Sequence, residues 1–206
     1  MSIKRFYPIS RLVLGMVLAI SLFSCVKDQN FHSNEEVEMY KLADIDLVQP
    51  VAMDAIDAAA AELSFALSST IDKVGVKEAI EYCNLNANDI IKTIAEDYGV
   101  EIKRTSLKLR NHSNKPSKDE KLILDFYVKQ ESLGKACTGE MSKVDGIYKY
   151  YYPIYVAENC TQCHGVAGES LNKKAAKKLA ALYLNDHAQG YQTGDLRGMW
   201  VVTFTK

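Results

Sequence analysis

The chain has 206 residues, 48% of them hydrophobic and 25% charged, with a formal net charge of −1. That is enough length for one domain with some to spare. Its near-neutral balance excludes a nucleic-acid-binding surface, because the longest cationic cluster, NKKAAKK at 172–178, reads as the solvated face of a helix.

The first 25 residues read as an address. Lys4, Arg5 and Arg11 flank the uncharged run LVLGMVLAISLF at 12–23, too short to cross a bilayer comfortably and flanked like a secretory signal. The run ends in LFSC, with Leu22 and Ser24 ahead of Cys25, which resembles the bacterial lipobox. In such proteins the cysteine takes a diacylglycerol and becomes the new N-terminus. Phe23 is bulkier than the residue usual there, and an ordinary signal peptide or an uncleaved anchor is the alternative. The expectation is a lipoprotein anchored to a membrane through Cys25, facing the periplasm or the cell exterior. Loss of residues 1–25 takes three positive charges with it and brings the net charge to −4. Residues 26–49 then form a polar tether and the start of a helix, and 50–206 a single domain.

Val51, Ala55, Ala58, Ala59, Leu63, Ala66, Leu67 and Ile71 recur at helical spacing and predict a long amphipathic helix after Pro50. Pro50 suits an early turn or a kink, and Gly75 a stop. A short second helix covers 76–87, with Ala79, Ile80 and Cys83 on one face. Asn88 and Asp89 look like the N-cap of a third, closed by Gly99. The period then falls to two. VEIKRTSLKLR at 100–110 alternates as a strand, which puts Arg104, Ser106 and Lys108 on one face. NHSNKPSKDE at 111–120 is a turn-rich loop with a helix start near Ser117. DGIYKYYYPIYVAE at 145–158 reads as a hairpin strand whose Tyr148, Tyr150 and Tyr152 pack a sheet. ESLNKKAAKKLAALYL at 169–184 is a helix, and RGMWVVTFTK at 197–206 a terminal strand. Helices followed by strands mixed with helices give an α+β class with an antiparallel sheet.

The segment NCTQCHG at 159–165 carries the chemistry. Cys-X-X-Cys-His is the attachment sequence for c-type haem: two thiols add to the vinyl groups as thioethers, and the next histidine ligates the iron. Cys160 and Cys163 are thus the attachment residues and His164 an axial ligand, for one haem. Export fits, because bacterial c-haem attachment takes place outside the cytoplasm. Zinc asks for four ligands, usually from a second such pair, and none is present. A thioredoxin-like dithiol asks for the pair at a helix start after a strand, and a disulfide across two residues is strained.

The second axial position decides the function. Met39, Met53, Met141, Met199, His32, His112 and His187 are open to it, and Cys83 by its pattern alone is a core cysteine. Arg104, Lys108 and Arg110 either meet the haem propionates or form structural ion pairs with the turn at Asp195 and Arg197. GYQTGDLRG at 190–198 suggests tight turns near the haem, with Tyr191 as a wall.

RTSLKLRNHSNKP at 104–116 resembles the signature of the Tll-like family of c-type haem domains. EAIEYC at 78–83, PIYVAENCTQCHG at 153–165 and AQGYQTGDLRGMWVV at 188–202 match it in order. Val202 stands where the family commonly has serine, and His112 where it often has proline. The resemblance implies a PAS-like antiparallel sheet with an N-terminal helical extension and the haem against the sheet. It also implies Cys83 as the distal ligand opposite His164; Cys137 has no place in the pattern. A thiolate ligand lowers the potential, and its loss on reduction would open a place for CO or NO. The function so implied is redox or gas sensing by a lipid-tethered single-haem domain acting through a partner. The alternative is a periplasmic cytochrome passing single electrons to other redox proteins. No Ser/His/Asp or paired-carboxylate constellation points to an enzyme.

Overall fold

The structure is a computed structural model that describes residues 38–39 and 42–204. Cys25, and with it the expected leader, lies outside the described residues. The class is α+β. Strands β1 (Glu38–Met39), β2 (Glu101–Thr105), β3 (Glu140–Val144), β4 (Ile147–Tyr155) and β5 (Leu196–Phe204) form one sheet in the order β1-β3-β4-β5-β2. Every neighbouring pair is antiparallel. β3 and β4 are joined by Asp145-Gly146, both at positive φ, the two-residue turn whose twist matches a hairpin.

Alternation along the strands sorts the two faces. Tyr150, Met141, Trp200 and Val202 point to one face and pack against Ala52, Ala55, Ile56 and Ala59 of helix α1 (Leu42–Val74). The run of alanines lets this helix lie close on the large tyrosine and tryptophan rings. Helix α3 (Lys118–Ser132) serves the other face, where Asp119 meets Lys149 and Tyr151 of β4. Ser117 caps α3 by a reciprocal box: its hydroxyl accepts from the Glu120 amide, and the Glu120 carboxylate accepts from the Ser117 amide. Helix α5 (Lys173–Leu182) packs by Ala175 and Leu179 against Ile80 of helix α2 (Val76–Tyr98). Among the described residues no helix is long and apolar enough to cross a membrane.

The sequence expectations are met in part and corrected in part. As expected, the helix starts ahead of Pro50, at Leu42, and carries Pro50 inside it at an exposed position. The missing amide bond there is outweighed by the apolar face that follows. The two helices expected over 76–99 are one. Helix α2 runs unbroken through Asn88 and Asp89, and Thr93 Oγ1 donates to the Asp89 carbonyl within it. Helix α2 ends at Gly99, left-handed at φ 65°, as expected. The alternating strand from Val100 stops at Thr105. Ser106 Oγ donates to the Arg197 carbonyl at 2.7 Å and accepts from the Lys108 amide, which turns the chain away. Arg104, Ser106 and Lys108 therefore do not share a strand face. Strand β3, with its mixed EMSKV sequence, and the two-residue β1 have no strand signal of their own.

Candidate functional site

A cavity of about 510 Å³ opens between α1, α2, the end of β2 and the segment around 154–164, within the usual range for cofactor sites of about 300 to 1,000 Å³. Leu63, Leu67 and Ile71 of α1, Ile80, Leu179 and Trp200 form its apolar wall. Cys83, Cys160, Cys163 and His164 line it, and so do Arg104, Arg110 and Arg197. Among the described residues no three His, Cys, Asp or Glu side chains gather as a metal cage. The donors are spread around the wall, which suits a ligand much larger than an ion and disfavours the zinc alternative.

The motif forms a 3-10 turn (Glu158–Cys160) running into a one-turn helix, α4 (Thr161–His164). Helical backbone puts Cys160 and Cys163, three residues apart, on one face. Both are free thiols. Gly165 is required by close approach, since a Cβ there would collide with the Thr161 carbonyl and the Ser170 hydroxyl. The loop is tied down by the Asn172 amide donating to Gln162 and the Gly190 amide donating to Gly165.

His164 is held in one orientation. Its Nδ1 lies 2.7 Å from the Ala188 carbonyl, and a carbonyl only accepts, so Nδ1 carries the proton and Nε2 keeps its lone pair. Burial, followed by the charges of Arg110 and Arg197, pushes the imidazole down to about 3. The ring is neutral at physiological pH, the form that ligates a metal. Tyr191 stands edge-on to it, with ring centroids 6.4 Å apart and planes at 84°. It is not among the lining residues, so the expected wall is a support for His164. Lys108 and Arg197 lie over the Tyr191 ring at 4.6 and 5.4 Å.

Arg110 binds the same region from behind. One Nη2 donates to the Cys163 carbonyl at 2.6 Å and to that of Ala188 at 3.3 Å, and the guanidinium pairs with Asp186 at 3.2 Å. The two side chains are 13% and 4% exposed, so this is a buried pair. Asp186 also accepts from the Ala188 amide and from Gln189. One arginine thus positions both the second motif cysteine and the carbonyl that orients His164. Sequence reasoning offered Arg110 as a propionate ligand and missed Asp186; the only signal was its place in the loop before Ala188. Among the described residues none of the expected ion pairs with Asp195 is present; its carboxylate accepts from the Gln192 amide, and Arg197 donates to the Lys108 carbonyl.

Cys83 reaches the cavity from α2. Burial raises its thiol above the ordinary range, while the nearby Arg104 acts to lower it. It also acts electrostatically on Cys163, and both thiols line the cavity. Arg104 lies over the Trp200 ring at 5.6 Å. Of the other axial possibilities, Met53, Met141, Met199, His112 and His187 do not line the cavity, and Met141 and Met199 are core residues. His32 and the Met39 side chain lie outside the described residues. Cys137 is remote from the cavity, its thiol against the Tyr127 carbonyl at 3.4 Å.

Comparison with curated proteins gives no match. Among solved structures, the crystal structure of the cyanobacterial heme protein Tll0287 matches with a TM-score of 0.54 and 20% identity, over 80% of this chain and 96% of that one. A likeness at that identity establishes the fold. The family model for Tll0287-like proteins matches residues 27–205, and the chain belongs to the Tll0287-like family.

Proposed function

We propose that this is a single-haem c-type cytochrome domain. The observation that carries the reading is the convergence of Cys160, Cys163, His164 and Cys83 on one cavity of cofactor size. The relative of known structure is a heme protein. Cys160 and Cys163 would hold the haem covalently, with His164 and Cys83 as its axial ligands. When bound, it would supply one-electron redox chemistry. The chain's part is to orient: the Ala188 carbonyl fixes the His164 tautomer, Arg110 and Asp186 hold that carbonyl in place, and Leu63, Leu67 and Trp200 keep water out.

We read the output as redox or gas sensing, with CO or NO as small ligands. Among the described residues no hydrogen bond holds the Cys83 thiol, and only burial and Arg104 act on it. A ligand without an anchor is free to leave when its charge changes. A lipid on Cys25 would tether the domain outside the cytoplasm. The test is potentiometry of the exported, haem-loaded protein with exposure to each gas. Low potential with uptake of CO or NO on reduction supports sensing. High potential, rapid electron exchange with a cytochrome and no gas uptake would instead support the electron-transfer reading.

A further inference from the structure

The three arginines of the cavity do different work. Arg110 is saturated by Asp186 and by two carbonyls. Arg104 and Arg197 are not. Burial depresses both guanidinium groups; the charge of Arg197 further depresses Arg104, and that of Arg110 further depresses Arg197. Among the described residues no carboxylate pairs with Arg104; the groups acting on its charge are Arg197 and Cys83. Arg197 Nη1 donates to the Lys108 carbonyl at 3.1 Å, yet its Nε is buried without a partner. Among the described residues it is the single buried side-chain nitrogen or oxygen so stranded.

Two buried guanidinium groups on one cavity wall, neither ion-paired with a carboxylate among the described residues, are costly unless a ligand brings two negative charges. A tetrapyrrole with two propionate carboxylates brings that number. The guanidinium fork is the group best matched to a planar carboxylate, which it binds by two parallel N–H donors. We propose that Arg104 and Arg197 are the seat of the two propionates, with Arg197 offering its Nε. This rests on the haem reading above and adds to it the two residues, at the end of β2 and the start of β5, that would hold the carboxylates. Arg110 is a positioning residue for His164 and takes no propionate.

The test uses the haem-loaded full chain, with haem made from 5-aminolevulinate isotopically labelled at its carboxyl carbon. Ferric-minus-ferrous infrared difference spectra then report the propionates alone. Arg104→Gln and Arg197→Gln should each shift labelled carboxylate bands and move the reduction potential downward, because each removes a positive charge that favours the reduced state. Arg104→Lys and Arg197→Lys, which keep the charge and lose the fork, should shift the bands with a smaller change of potential. Lys92→Gln, an exposed site on α2, should change neither. Labelled bands unchanged from wild type in the Lys pair, or in the Gln pair, overturn the assignment. Staining for covalent haem in denatured wild-type protein separates the two readings. Stain with unchanged bands defeats only the propionate seat, whereas no stain defeats the haem reading and this one with it.

Discussion

Buried polar groups are treated in opposite ways on the two sides of this sheet. On the α3 side most have an answer, the exception being Glu140, whose carboxyl is pushed up to about 7 by burial. Lys149 meets Asp119 at 2.7 Å, Lys103 meets Glu120 at 2.8 Å, and the Tyr151 and Ser142 hydroxyls bond at 3.0 Å. Tyr127 donates its hydroxyl toward the Thr138 and Tyr151 carbonyls. On the cavity side, among the described residues, no carboxylate pairs with Arg104, Arg197 keeps an orphaned Nε, and no hydrogen bond holds the Cys83 thiol. Buried polar groups in folded proteins are nearly always satisfied. A chain that pairs its buried cations on the α3 face and leaves Arg104 and Arg197 without a carboxylate among the described residues on the other fits a ligand that supplies the negative charge.

The largest effect that would sharpen this contrast is at the motif. Replacing Cys160 and Cys163 together by alanine should abolish covalently bound pigment, read by haem staining after denaturation. Retention of the stain would break the comparison at its root.

Next comes the pair that supports the site. Asp186→Ala leaves Arg110 buried and unpaired, which should cost about 3–5 kcal/mol in urea unfolding. A loss below about 1 kcal/mol would mean that the pair is effectively solvated. The pH dependence has a definite sign. Burial pushes the Asp186 carboxyl up, but hydrogen bonds from Gln189, the Ala188 amide and Arg110 outweigh it, and the group sits below its ordinary value. A depressed carboxylate stabilises above its unfolded pKa of about 3.9 and loses that contribution as pH falls through the folded value. The stability gap between wild type and Asp186→Asn should therefore be complete above about pH 4 and close on further acidification.

On the satisfied face the effect is smaller and leaves the haem untouched. Asp119→Ala strands Lys149, and should cost about 1–3 kcal/mol without altering the visible spectrum. A spectral change would show that the two faces are coupled. At the small end, Lys92→Ala removes an exposed pair with Glu96 at 3.8 Å and should move stability by no more than about 0.5 kcal/mol.

What the sequence showed and hid divides by the range of the interaction. NCTQCHG is local chemistry, legible from residue types and spacing, and the Ser117 start of α3 is a local signal of the same kind; the turn at Asp145-Gly146 falls in a stretch that reads as part of the strand. The single helix over Val76–Tyr98 was hidden because Asn88 and Asp89 have the composition of a cap, and only backbone geometry shows that they are not one. Tyr191 could be placed near the haem loop, but whether it walls the cavity or braces His164 depends on the fold of 188–198. The sorting of three arginines was out of reach. Arg104 and Arg110 lie six residues apart in one segment, and what separates them is Asp186, 76 residues from Arg110 along the chain. Cys83 entered by family resemblance; its place on the cavity wall beside Arg104 is a tertiary fact that no helical periodicity carries.

The central claim is that one cavity joins the motif histidine to a cysteine about eighty residues upstream. Its most direct test is the pair of optical and electron paramagnetic resonance spectra of the ferric haem-loaded protein, wild type beside Cys83→Ser. The account predicts a low-spin thiolate signature in wild type that is lost in Cys83→Ser, with covalent haem retained in both. Identical spectra from the two proteins would contradict it.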